Sequence, residues 1–165
     1  MTRVLFLDVD GVLNSEFWND KHQREISDGT LIDEEKVKIL AELVKRTNAK
    51  IILHSGWRSW FDAELNPLRI ETERLIDMFA KAGLSIEGLT PDLTTEEIRR
   101  TKKFSLVKAE EILLWLKLNN DVSGWVVIDD LNLHNYQVEK HQVMPNPITG
   151  LTLEDIEKAE QILLS

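Results

Sequence analysis

A chain of 165 residues with 42% hydrophobic and 30% charged side chains has the size and make-up of one ordinary globular domain, long enough for a real core. A formal charge of −9 argues against a broad electrostatic grip on nucleic acid, though it leaves room for a small basic patch. With no cysteine, disulfides, thiolate metal sites and cysteine nucleophiles are excluded and a reducing cytoplasm is the expected setting; no apolar run nears the ~20 residues that span a bilayer.

The run Val4-Leu5-Phe6-Leu7 reads as a short strand buried on both faces, as in a parallel sheet, rather than as a leader peptide. Two acids close it, Asp8 and Asp10. Residues two apart in an extended chain point the same way, so both lean toward one spot beyond the strand. Gly11 lets the backbone turn there and leaves space for a ligand. Ser15 to Ile32 is polar and irregular, with an Asp28-Gly29 turn signal, and is expected to be a flap over the mouth of the site. Asp33 then suits a helix N-cap, with Glu34 and Glu35 in the first turn and an apolar stripe at Val37, Leu40 and Val44.

Lys50 to Leu53 repeats the opening pattern and leads into His54, Ser55, Gly56, Trp57 and Arg58. If this strand runs parallel to the first, Ser55 emerges on the edge that carries Asp8. Its hydroxyl and the nearby backbone N–H groups, Gly56 included, could donate to an anionic oxygen, with Arg58 adding charge or bracing an acid. Trp57 and Trp60 read as packing, and His54 as a strand residue without a role. A helix is expected near Leu68–Ala82 with Gly83 as its stop, then a short strand at Leu84–Leu89. Arg99, Arg100, Lys102 and Lys103 form the one dense basic cluster; a solvated helix face competes with a contact for a phosphorylated substrate.

Ser105–Leu118 reads as a further helix, with Lys108 near its start, where the helix dipole disfavours a cation. Trp125 to Ile128 is a third dry run ending in acids, Asp129 and Asp130. A last short strand is expected at His141–Met144. A capping box, Thr152 with Asp155, opens a closing helix.

Strands alternating with helices indicate an α/β fold with a doubly wound parallel sheet. In that fold Asp8, Asp10, Asp129 and Asp130 meet at one edge. Two like charges about 4 Å apart repel by about 4 kcal/mol at an effective dielectric near ~20, so protons or a divalent cation must accompany such a cluster. Ligands that are all oxygen favour a hard ion such as Mg2+. With Ser55 and Lys108 beside it, the outline is a phosphoryl-transfer site.

The order and type of these residues resemble the haloacid dehalogenase-like (HAD) superfamily, whose four motifs stand here as Asp8-Val9-Asp10-Gly11-Val12-Leu13, Ile52-Leu53-His54-Ser55, Lys108 and Val127-Ile128-Asp129-Asp130. Ser55-Gly56-Trp57-Arg58 and the run Lys108 to Leu116 are similar to the small HAD domains of multifunctional RNA-repair proteins. The resemblance covers essentially the whole chain and implies one Rossmannoid HAD-like domain over 1–165, with a flap at 15–32 and no large cap domain. It implies Asp8 as nucleophile, forming an aspartyl-phosphate, and Asp10 as acid and then base. Asp8, the Asp10 carbonyl and Asp129 would hold Mg2+, with Asp130 as a direct ligand or as a partner behind one. Ser55 and Lys108 would steady the transferring phosphoryl oxygens, and Gly56 and Arg58 join them as candidate substrate-binding residues. Where many relatives carry another acid past the paired aspartates, this chain has Asn132 and Asn135. The expected activity is a phosphatase with an open site, for a small phosphomonoester, a nucleotide or a nucleic-acid end. A phosphoacceptor signalling domain and a non-catalytic RNA- or partner-binding domain are the competing readings.

Overall fold

A computed structural model describes residues 1–165. Five strands form one sheet: β1 (Thr2–Leu7), β2 (Lys50–Leu53), β3 (Ile86–Leu89), β4 (Val122–Ile128) and β5 (Gln142–Val143), in the order β3-β2-β1-β4-β5, every pair parallel. The α/β doubly wound reading therefore holds. From β1 the chain winds one way to β2 and β3, then returns to the other side of β1 for β4 and β5. The reversal lies between β1 and β4, and open sheets of this kind bind ligands in the crevice beyond such a point.

The dryness of the strands has a direct cause: both faces are covered. Leu5, Leu7, Ile51, Leu53, Val126 and Ile128 join the larger core. This core is completed by α3 (Glu34–Thr47), α4 (Ile70–Lys81) and α8 (Leu153–Leu164). Alternate residues Val4, Phe6, Ile52 and Val127 face the smaller cluster under α6 (Ser105–Leu118) and α7 (Tyr136–Glu139). Local signals work as expected in α3, where Asp33 accepts from the Glu35 N–H, and in α8, where Thr152 and Asp155 cap each other. No helix is long and apolar enough to cross a membrane.

Four details depart from the sequence expectations or add to them. The stretch 15–32 is helical rather than irregular, with α1 (Glu16–Lys21) and α2 (Gln23–Ser27), because Ser15 caps α1 by accepting from the Trp18 N–H. Its end is pinned by hydrogen bonds from Asn14 to the Leu31 carbonyl and from Arg74 to Thr30. β4 begins before Gly124, not after it; a Cβ there would strike the Leu163 carbonyl of α8, so glycine lets the last helix lie on the strand. A 3-10 helix, Gly56–Trp60, follows β2. The basic cluster sits on and just beyond a short helix, α5 (Glu96–Thr101).

Candidate active site

Strand register brings the candidate residues together. Leu7 pairs with both Leu53 and Ile128, so the next residues, Asp8, His54 and Asp129, stand abreast. The ladder continues past the strand ends, with Asp8 N–H donating to the Ile128 carbonyl and His54 N–H to that of Leu7. Of the sequence candidates, Asp8, Asp10, Ser55, Gly56, Arg58, Lys108 and Asp130 all line one cleft of about 650 Å3. Asp129 lies just beneath it, fully buried. The far wall carries Asp92, Arg99 and Phe104 from the segment after β3, and no residue of 15–32 lines the cleft. A groove of about 440 Å3 at the opposite end of the strands, near Lys50 and Trp115, gathers no comparable chemistry.

Asp8, Asp129 and Asp130 each offer a carboxylate oxygen, and these oxygens lie within 4.8 Å of one another. Lys108 reaches into the group, 2.7 Å from Asp129 Oδ2 and 3.7 Å from Asp8 Oδ1. Burial pushes the Asp8 carboxyl well up, the Asp129 charge adds to this, and Lys108 opposes it. Burial likewise raises Asp129 against the pull of Lys108. Burial alone would lower Lys108, but Asp8 and Asp129 outweigh it and hold the ammonium above its usual range. Three hard oxygen donors with no sulfur or imidazole among them fit Mg2+ better than a softer ion. Gly11 keeps room for the third: its φ is +81°, and a Cβ there would run into the Asp130 carboxylate.

Asp10 faces the cleft apart from that triad. Its Oδ1 accepts from Asn14 Nδ2 at 3.0 Å and its Oδ2 from the Trp57 indole N–H at 3.2 Å, while Asn14 Oδ1 takes the Gly11 N–H. Both oxygens are thus aimed by fixed donors. The packing role read for Trp57 and Trp60 is real, their rings 5.0 Å apart, but Trp57 also orients an acid that the sequence did not connect to it. Trp57→Phe keeps most of the packing and deletes the donor. The expected result is a kcat lower by about tenfold with KM little changed, the size of one hydrogen bond to a charged group. Steady-state kinetics on an aryl phosphate would check it.

Ser55 Oγ accepts from the Trp57 N–H at 3.2 Å, capping the 3-10 helix and leaving its own hydrogen free to donate toward the cleft. Arg58 crosses the cleft wall, donating to Thr90 Oγ1 at 2.8 Å and Glu111 Oε2 at 2.6 Å, with Asp92 at 3.4 Å.

His54 is wholly buried, its Nδ1 paired with Thr90 Oγ1. Arg58 can only donate to that hydroxyl, so the hydroxyl proton is free to go to Nδ1 of a neutral ring. Burial, with Lys108 and Arg58 nearby, holds this histidine well below its ordinary 6.5. The folded state therefore keeps it neutral while the unfolded chain takes up a proton. Its contribution to stability is complete above the unfolded value and is lost as pH falls. That loss sets in as pH falls from 7 to 5, where the unfolded chain takes up its imidazole proton. Urea unfolding at the two pH values should show a smaller change in His54→Gln than in the wild type.

The family model described as the HAD domain in Swiss Army Knife RNA repair proteins matches residues 4–156. The chain belongs to that family. No curated protein and no solved structure matches it. An HAD domain brings with it a phosphohydrolase-type role, and the acidic cluster lies where such a domain gathers its chemistry: the carboxyl edge of the sheet, at the point where strand order reverses.

Proposed function

We propose that this HAD domain is a Mg2+-dependent phosphomonoesterase working through an aspartyl-phosphate on Asp8. The observation that carries the reading is the pairing at the end of β1: one acid, Asp8, lies against Lys108 and two further carboxylates, while the other, Asp10, is turned into the cleft by two N–H donors. The two have different surroundings and so suit different tasks.

In the first step a carboxylate oxygen of Asp8 attacks phosphorus and the bond from phosphorus to the ester oxygen breaks. The proton on Asp10 passes to that leaving oxygen. In the second step Asp10, now ionised, takes a proton from a water molecule as its oxygen attacks the phosphorus of the aspartyl-phosphate. Asp8 is released and inorganic phosphate leaves. Ser55 and the Gly56 backbone N–H would donate to phosphoryl oxygens, and Lys108 would meet their charge. Arg58 would bind the substrate from the cleft wall. Asp8, Asp129, Asp130 and the Asp10 carbonyl would hold Mg2+, which supplies charge neutralisation for the transferring group.

A cleft of about 650 Å3 exceeds what orthophosphate needs. Arg99 and Phe104 on its far wall offer a cation and an aromatic face. That combination favours a nucleotide or a nucleic-acid end over a small aliphatic ester, and the absence of cysteine suits action in the cytoplasm. The decisive test is a phosphatase screen in Mg2+ or EDTA over aryl phosphate, nucleotides, sugar phosphates and RNA with 3′- or 5′-phosphate. Turnover in Mg2+ that EDTA removes is the expected outcome. Stoichiometric phosphorylation without turnover would make the chain a phosphoacceptor instead. Salt-sensitive RNA binding with no hydrolysis would make it a binding module.

A further inference from the structure

Glu111 lies three residues beyond Lys108 on α6, so the two side chains leave the helix on one side. The chemistry above leaves it without a task. It is fully buried. Its Oε2 accepts from Arg58 Nη2 at 2.6 Å and from the Leu93 backbone N–H at 2.8 Å, while Oε1 has no partner. A buried carboxylate with one oxygen unsatisfied is a costly occupant for a helix face where an apolar side chain would pack. Stability alone does not explain it.

Its partner explains more. The Arg58 guanidinium ties three pieces of the cleft together: the 3-10 helix that starts at Ser55, the segment after β3 through Thr90 and Asp92, and α6, which carries Lys108. With Nη1 engaged by Thr90 and Nη2 by Glu111, the plane of the guanidinium is fixed from two sides, and Arg58 lines the cleft in that orientation. Only a group reaching from α6 can register that plane against the helix that bears Lys108.

We propose that Glu111 is a positioning residue for the phosphatase reaction: it sets the orientation in which Arg58 meets the substrate. The claim rests on the function proposed above. Its signature is a rise in KM rather than a fall in kcat, because Arg58 is needed to bind the ester and not to break it.

The experiment is a double-mutant cycle on the full chain with Mg2+ and an aryl phosphate, using Glu111→Gln, Arg58→Gln and the two combined. Glu111→Gln removes the charge that grips Arg58 but can still accept from Leu93. It should raise KM by about tenfold, the worth of one charge-assisted hydrogen bond, with kcat within about threefold; any fall in melting temperature is limited because Arg58 keeps Thr90 and Asp92. The double variant should be no worse than Arg58→Gln alone. Wild-type constants in Glu111→Gln, or losses that multiply in the double variant, overturn the proposal. So does a lowered melting temperature with unaltered KM, which is the mark of a purely structural group. Should Glu111→Gln fail to fold, Glu111→Asp keeps the charge and withdraws it by one methylene, and the same KM rise is required of it. If the wild type turns over nothing, the phosphatase reading falls, and Glu111 is then judged by calorimetry of orthophosphate on the same proteins. A weaker affinity in Glu111→Gln supports the positioning role; equal affinity, or no binding by the wild type, ends it.

Discussion

Asp8→Asn should lower phosphate release by about four orders of magnitude, the usual scale for removing a covalent nucleophile, and it should do so without unfolding the protein. Asparagine has the same shape and can still hydrogen-bond, but its amide is no nucleophile toward phosphorus. The effect on stability has a definite sign. Burial and the neighbouring Asp129 hold the Asp8 carboxyl well above its ordinary range. The unfolded chain thus gives up that proton at a lower pH than the folded protein does. In EDTA the wild type therefore loses stability as pH rises from the unfolded value toward the folded one. The variant bears none of this loss. Its melting temperature in EDTA should equal or exceed that of the wild type, and the difference should shrink on acidification. In Mg2+ the order should reverse, because the variant has lost an anionic oxygen from the triad. Scanning calorimetry at pH 5 and 7.5, with Mg2+ or EDTA, together with phosphate release, would check all of this. Turnover retained at a tenth of the wild-type rate would exclude Asp8 as the nucleophile.

What could be read in the sequence was what repeats locally. Asp8 and Asp10 declare themselves because a dry strand has no reason to end in two acids facing the same way, and the period of two is visible in adjacent letters. The helices α3 and α8 declare themselves through caps that lie within four residues of what they cap. What could not be read was pairing across the fold. Asp10 and Trp57 are 47 residues apart, and Arg58 and Glu111 are 53 apart. Nothing nearby distinguishes Glu111 from its neighbour Glu110, yet one is buried and the other exposed. Only the rotation of α6 against the sheet decides which of the two carboxylates turns inward. The stretch 15–32 escaped for a different reason. Its two helices have five or six residues each, too few to show an apolar stripe, and neither contains a buried residue. The far wall was half visible. The cluster Arg99 to Lys103 stood out as charge, but that Arg99 alone of it lines the cleft follows from the path of the chain after β3, which composition does not encode.

Lys108→Met tests how the acidic cluster is kept from repelling itself. The Lys108 ammonium lies 2.7 Å from one Asp129 oxygen and 3.7 Å from one of Asp8, and Asp129 is fully buried. Methionine fills most of the same volume and carries no charge. Without it Asp129 keeps only the Leu131 N–H as a donor, at 2.9 Å. Breaking a buried pair from one side costs about 3 kcal/mol, because the remaining charge is left uncompensated. The sign with pH follows. Removing the cation lets the folded Asp8 and Asp129 carboxyls rise further above their unfolded values. The destabilisation is therefore greatest at neutral pH and fades as both acids protonate. Mg2+ should compensate, since the same carboxylates would hold it and the variant no longer balances them with an ammonium. Ion binding raises stability by mass action, so the melting temperature should climb more on Mg2+ addition in Lys108→Met than in the wild type. Turnover should still fall by about two to three orders of magnitude, the scale for losing one preorganised charge at a developing oxyanion. Equal Mg2+ shifts in the two proteins would mean that Lys108 and the ion do not share these acids. A variant as stable as the wild type in EDTA would mean that Asp129 is neutral in the folded state and needs no partner.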